Sequence, residues 1–457
     1  MKQKSLNIIM TKQVEILLGE PKKAILKLSV PIMIGMLVQA VYNLADGIWV
    51  AGLGADALAA IGLFFPFFMV IMALGAGIGI GGSSAVSRKI GAGTKKDAEN
   101  TALHTFLIAL VVSILLSLLI FPFINRIFSG LSGNGEVGAM AADYAKILFG
   151  GAVIIILVNI GNAVLRGEGN VKKAMYGLIL GAGLNIILDP IFIYWLGLGV
   201  AGAAIATLIS FTVSFLLFSY WLFIKKDIYL DLNLKRFNFN KNILKEILWV
   251  GIPSALAQFS MSLSMIFLNI IIVATGGTNG VAIFTSGWRV IMFGVVPLMG
   301  MAAGVTAVTG AAYGAKSKYK LKTAYFYAIK VGILMELIIA GFVFVFAPVL
   351  ANAFSYSEGS AEIYNSLVDF LRITCLFYLA VPLGMLTSAL FMGVGSGVNS
   401  LIATILRTFV FQLSTAYLLG VVFGFGLTGI WWGIVAGNIC SGGVIFMWGR
   451  STVNKIL

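Results

Sequence analysis

The sequence predicts an all-α polytopic membrane protein of twelve transmembrane helices in two pseudo-symmetric six-helix bundles. Three observations predict it. Of 457 residues, 60% are hydrophobic and 11% charged, with a mean hydropathy of +1.02. A soluble domain carries about 25% charge, and no core of this size hides so much apolar surface from water. The apolar residues fall in twelve runs, each long enough for the roughly 20 residues that a helix needs to cross hydrocarbon. Finally, lysine and arginine alternate between loops.

Span 1, 25–50, starts from a basic segment holding Lys12, Lys22, Lys23 and Lys27. Span 2, 57–84, runs into Arg88, Lys89, Lys95 and Lys96. Span 3, 99–124, is followed by a loop whose one basic residue is Arg126. Span 4, 139–164, ends at Arg166, Lys172 and Lys173. Spans 5 and 6, 172–195 and 200–223, join through an uncharged turn and lead to Lys225, Lys226, Lys235, Arg236, Lys241 and Lys245. Spans 7 and 8, 245–273 and 280–308, precede Lys316, Lys318, Lys320 and Lys322. Spans 9 to 12 are 322–347, 362–388, 397–420 and 427–449, with Arg450 and Lys455 at the end and an uncharged loop, 389–396, after span 10.

The runs are too long for barrel strands, and open strand edges do not survive in lipid, so each is a helix. With Lys2 and Lys4, 25 of the 31 basic residues lie at the termini or in even-numbered loops. The positive-inside rule places both termini and those loops in the cytoplasm of a plasma-membrane protein. The net charge of +14 is then topology and attraction to anionic lipid, not a nucleic-acid surface. Cys375 and Cys440 lie in apolar stretches, and His104 is the sole histidine, so neither a disulfide framework nor a zinc site is expected, and no cofactor. Met1 to Lys23 carries no signal-peptide pattern.

The halves repeat. VPIMIGMLVQ from Val30 corresponds to IPSALAQFSM from Ile252, and SRKIGAGTKKDAENTA from Ser87 to TGAAYGAKSKYKLKTA from Thr309. AVLRGEGN from Ala163 corresponds to ALFMGVGS from Ala389, and LGLGVAGAAIA from Leu196 to FGFGLTGIWWG from Phe423. Six spans per copy make a parallel repeat about an axis along the membrane normal, a plan for alternating access. The expected bundles are 1–235 and 236–457. Gly75, Gly77, Gly79 and Gly82 read as packing positions in an apolar span, since no strand precedes them.

Three acids sit well inside spans: Asp46, Asp189 and Glu336. An ionisable group in a membrane interior is a functional candidate. Asp46 and Asp189 reach similar depth, about 28 and 24 Å from Lys27 and Lys173 at 1.5 Å per residue. Two carboxylates at one depth repel, and a shared proton or a Na⁺ relieves that repulsion. Gln39, Tyr42 and Asn43 share a helix face with Asp46; Asn185 lies one turn below Asp189. Asn159 and Asn162 on span 4 and Thr207 on span 6 offer further oxygens. Pro31 weakens span 1, and Pro190 follows Asp189 directly. Glu336 has no polar companion at helical spacing and is expected in an aqueous crevice or at the lipid edge. His104 is expected at the interface.

The runs QAVYNLADGIWVAGLG from Gln39, SRKIGAGTKKDA, NAVLRGEGN and LNIILDPIFI resemble the multidrug and toxic compound extrusion (MATE) family over nearly the whole chain, closest to its prokaryotic DinF-like and archaeal branch. The resemblance implies the MATE fold, a V-shaped cleft between two bundles, and export of diverse amphipathic or cationic compounds by antiport with H⁺ or Na⁺. Carried onto this chain, the coupling residues are Asp46, Asp189, Asn185, Asn162 and Thr207, with Na⁺ possible at Asp46, Asp189 and Asn185. Gln39, Tyr42 and Asn159 then line the substrate cleft, and Pro31 is the hinge. The NorM-like branch has a glutamate on span 7; ALAQFSMSLSMIF here offers Gln258 and no acid, which favours the first bundle.

The leading expectation is a multidrug antiporter working as a monomer in the bilayer. Met33, Met36 and Met265 suit loose recognition. The alternative is a lipid-linked-precursor flippase of the wider superfamily, for which Arg289, Arg372 and Arg407 are the candidate phosphate contacts. A passive channel fits the buried acids less well. No HExxH, Ser–Lys pair or catalytic histidine cluster points to an enzyme.

Overall fold

The computed structural model describes residues 11–132, 135–225, 227–354 and 363–456; Lys2, Lys4 and Lys226 lie outside them. Every regular element among the described residues is helical. A short helix α1 (Lys12–Leu18) precedes α2 (Pro21–Ala51) and α3 (Ala55–Gly91), the first two spans. Span 3 is α4 (Lys95–Ile120), continued through a single 3₁₀ turn at Phe121–Phe123 into α5 (Ile124–Leu131). Span 4 is two helices, α6 (Gly135–Gly150) and α7 (Ala152–Gly167), bent by 51°. Spans 5 and 6 are α8 (Val171–Pro190) and α9 (Gly199–Ser219).

Spans 7 and 8 form one continuous element, α10 (Lys241–Gly314), of 74 residues. Straight, it would measure about 110 Å, several bilayers thick. It turns back at Gly277, where φ is +59°. Span 9 is α11 (Lys318–Asn352), and span 10 is α12 (Tyr364–Thr374) and α13 (Phe377–Gly393), bent by 49°. Span 11 runs from α14 (Gly397–Ile405) through π turns and α15 (Ser414–Tyr417), and α16 (Gly426–Lys455) is span 12. Nine described helices are long and apolar enough to cross a membrane, and the two bent pairs add two more. With α10 counted as two, the architecture accords with twelve spans.

The repeat is written in the backbone. All ten described residues with positive φ fall into pairs between the halves: Gly54 with Gly277, Gly93 with Lys316, Gly169 with Gly395, Gly197 with Gly424, and Gly199 with Gly426. Corresponding spans also share defects. Spans 4 and 10 are both bent, and spans 5 and 11 both end in a π turn, Ile191–Trp195 and Leu418–Val422. Pro31 lies inside α2, which continues through it.

The halves meet at the end that carries the basic loops. A Cβ on Gly77 would stand 2.7 Å from the Gly251 carbonyl oxygen, and one on Gly300 would stand 2.8 Å from the Met33 Cα. Small residues here let backbones touch. Gly81 and Gly91 similarly abut Ile247 and Ala311. Arg88, whose side chain is 8% exposed, crosses this seam. Its Nη2 and Nε donate to Glu246 at 2.9 and 3.2 Å, and its Nη1 donates to the Gly393 carbonyl at 3.2 Å. Lys89 adds a second ion pair to Glu246 at 3.2 Å. Helix α1 lies over the same end, burying Val14 and Leu17, with its Leu18 carbonyl accepting from Lys320.

The segment joining the halves is pinned to the first one. The N–H of Leu230 donates to Glu168 at 3.3 Å, that of Asp231 to Glu99 at 3.0 Å, and that of Asn240 to His104 Nε2 at 2.9 Å. His104, expected near the basic-loop end, is there fully buried, with Nδ1 bonded to the Asn100 carbonyl at 2.8 Å. Burial pushes the Glu168 carboxyl up to about 7, against the Leu230 N–H that favours its charge.

Candidate functional site

Helices α2 and α8 run side by side in the same direction, and their register brings two acids together. Gly35 lets α2 close on α8, where a Cβ would meet Leu178 Cδ1 at 3.0 Å. Asp46 and Asp189 each lie eleven residues, or about 16 Å, farther along their helices. The Asp46 and Asp189 carboxyls face one another, and Asp189 is fully buried. Beyond them the outer ends are tied: the Tyr194 hydroxyl donates to the Trp49 carbonyl, and the two rings meet edge to face at 6.4 Å.

The surrounding groups are oxygens in search of a cation or proton. Asp46 Oδ1, both Asp189 oxygens and Asn185 Oδ1 are buried with no hydrogen-bond donor among the described residues. Asn185 faces Asp189 and donates through Nδ2 to Thr207 Oγ1 at 3.2 Å. Tyr42 faces Thr207 and both acids. Two carboxylates left bare in a membrane interior demand a compensating charge, and four unpartnered oxygens fit either a shared proton or Na⁺. Beneath them Gln39, Tyr42, Asn185, Thr207, Ser210 and Ser214 line a cavity of about 40 Å³. That holds water or an ion but is far below the 300 Å³ or more of a drug pocket.

One residue expected beside the acids is placed elsewhere. Asn162 donates to the Ala174 carbonyl at 2.9 Å and accepts from Arg166 at 2.6 Å. This is about 16 Å along α8 from Asn185, too far to join the acids. Asn159, half-buried, donates to Ile155 of its own helix at 2.9 Å, and a Cβ on Gly75 would stand 3.5 Å from its Cβ. Gln39 and Tyr42 do share a cavity, but one too small for a drug as it stands. Sequence reasoning missed Tyr144 of α6, which is buried within electrostatic reach of Asp46, Tyr42 and Asp189. No spacing rule links it to them, because it arrives on a different helix.

Glu336 departs from its expected crevice or lipid edge. It is 0% exposed, and neither oxygen has a partner among the described residues. Two of the three arginines considered for a flippase are engaged by other side chains. Arg372 stacks over the Phe344 ring at 5.6 Å, and Arg407 Nη2 lies 3.8 Å from the Met261 sulfur.

Comparison with known proteins agrees with this plan. The family model MatE matches the chain twice, over residues 31–191 and 253–418. The multidrug export protein MepA of Staphylococcus aureus is 27% identical over 422 residues, covering 92% of this chain and 91% of MepA. A solved MOP superfamily transporter from Pyrococcus furiosus is 50% identical, with a TM-score of 0.95 over 98% of this chain and 99% of that one. An outward-facing multidrug resistance MATE family transporter matches with the same identity, coverage and TM-score. A membrane-spanning helical repeat with paired acids, matched in each half by that family's model, makes this chain a member of the MatE family, whose members are transporters and not enzymes.

Proposed function

We propose that the chain exports amphipathic, often cationic, small molecules across the plasma membrane by antiport with H⁺ or Na⁺. The carrying observation is the facing pair Asp46 and Asp189, whose oxygens lack donors beside a cavity sized for an ion. The names of its relatives, a multidrug export protein and a multidrug resistance transporter, support the cargo class.

Residues 1–235 and 236–457 are the two moving bodies, with both termini and the basic loops in the cytoplasm, and one chain is the working unit. In the structure the basic end is sealed, which corresponds to access from outside. A proton or Na⁺ entering from outside neutralises the Asp46/Asp189 pair. That removes the repulsion holding α2 and α8 apart at this level and changes the position of α2, with Pro31 giving that helix its weak point. Drug and ion then favour different arrangements of one element, which is what exchange requires.

The test is ethidium transport into inverted vesicles, where uptake is the equivalent of cellular efflux, under a pH gradient or a Na⁺ gradient imposed separately. Uptake driven by one of them supports the reading, and uptake indifferent to both refutes it. Impermeant labelling of single cysteines at Lys95 and Lys320, with Glu136 as the outside reference, tests the topology in the same membranes.

A further inference from the structure

We propose that Arg289 is a carboxylate-binding residue in the cleft between the halves, so that zwitterionic amphiphiles are recognised at both ends. This deepens the export reading and rests on it.

Arg289 stands in a cavity of about 520 Å³ with Thr278, Thr285, Ser286, Val273, Val281 and Ala282. That is drug-sized, unlike the space beside the acids. Its guanidinium makes no hydrogen bond or ion pair with any described residue. Arg88, Arg166, Arg372 and Arg407 all have partners. Snorkelling does not account for it. Arg289 lies about 18 Å along its helix from the turn at Gly277, roughly the middle of a 30 Å hydrocarbon layer and beyond a side chain's reach to the headgroups. Only the open cavity hydrates it.

Helical phase shows where that cavity points. Thr278, Ala282, Thr285 and Arg289 follow the spacing of one helix face. Eleven residues beyond Arg289, about three turns on, the same face carries Gly300, whose missing Cβ makes room for Met33 of the first half. Arg289 therefore faces the first half, outward of the seam that seals the basic end. Gly300 and Met33 lie at one level, so Arg289 stands about 16 Å and Asp46 about 20 Å outward of it. The acid pair of the first half and Arg289 of the second thus stand at nearly one depth.

A guanidinium takes a carboxylate with two parallel hydrogen bonds, and the Thr285 and Ser286 hydroxyls are further donors beside it. Val273, Val281 and Ala282 accept the apolar body. The ligand class is an amphiphile that carries both an amine and a carboxylate.

The test uses purified full-length protein and three probes: norfloxacin, its methyl ester and ethidium. Equilibrium binding is measured without a gradient, and transport in phosphatidylcholine vesicles with and without phosphatidylglycerol. Arg289→Gln is expected to weaken norfloxacin binding about tenfold, the loss of one charge-assisted contact in a hydrated site. The ester and ethidium should shift less than twofold, and Arg289→Lys should fall between. Unchanged ethidium transport shows the variant is folded. Equal losses for all three probes, no loss for norfloxacin, or a loss seen only with anionic lipid would each overturn the proposal. If the wild type binds norfloxacin through Arg289 yet transports nothing under any gradient, the export reading fails and the binding site stands.

Discussion

Removing the Glu246 charge should release the seal at the basic end. Glu246 accepts two bonds from Arg88 and an ion pair from Lys89, all across the seam. Glu246→Gln keeps the shape and an acceptor but leaves Arg88, 8% exposed, without its counter-charge. A hydrogen bond to a charged group contributes about 1.5–3 kcal/mol, and breaking a buried pair costs more. Because Glu246 is 28% exposed, about 2 kcal/mol is a fair figure for the pair. If the seam parts in the alternative state, that energy is lost from the sealed state alone. The sealed-to-open ratio then drops about 30-fold. Distances between spin labels on the loops after spans 2 and 8, measured in nanodiscs, read the two populations directly. The sealed distance should dominate in the wild type, and a longer one should emerge in Glu246→Gln. An unchanged distance distribution would show that Arg88 and Glu246 do not hold the halves closed.

The Gly77–Gly251 approach makes a complementary prediction: Gly77→Val places methyl groups where a backbone oxygen already stands 2.7 Å from the first added carbon, so the seam cannot close and efflux falls at least tenfold while expression persists. Trapping of the long spin-label distance checks it. Glu168 gives a pH prediction. Its carboxyl is raised from 4.5 to about 7 by burial, so its contribution to stability is complete below pH 4.5 and is lost as pH rises through 7. Glu168→Gln should flatten the thermal midpoint between pH 5 and 8 and raise it at pH 8, and a variant with the wild-type slope would remove Glu168 from the account.

The spans were legible because lipid demands long apolar helices, and the repeat because six-span units recur in sequence. Positive φ was less so. Gly93 announces its turn, but its counterpart is Lys316, at φ +54°, whose side chain hides the same conformation. The pair Asp46 and Asp189 was readable from depth counted along each helix. What joins them, the Gly35 approach to Leu178, is a matter of packing between helices that no one-dimensional pattern records. Asn162 shows the converse. An amide in a span looks available, yet Asn162 is occupied on both sides by Ala174 and Arg166. Glu336 looks lonely in sequence, but it is buried where a lipid-edge or crevice position is expected, and Tyr378 of α13 stands within electrostatic reach of it, a neighbour that no spacing along α11 announces.

The central claim is that Asp46 and Asp189 together hold the driving ion. Gradient-driven ethidium uptake into inverted vesicles, the equivalent of cellular efflux, compared among wild type, Asp46→Asn, Asp189→Asn and Glu336→Gln at equal protein, tests it most directly. An amide keeps the shape of each carboxyl and removes a costly buried charge, so the variants should fold and insert. It neither titrates nor supplies negative charge to Na⁺. Both aspartate variants should therefore lose gradient-driven efflux, with Glu336→Gln affected much less. Wild-type rates in Asp46→Asn and Asp189→Asn with Glu336→Gln inactive would place the coupling site in the second half and contradict the account.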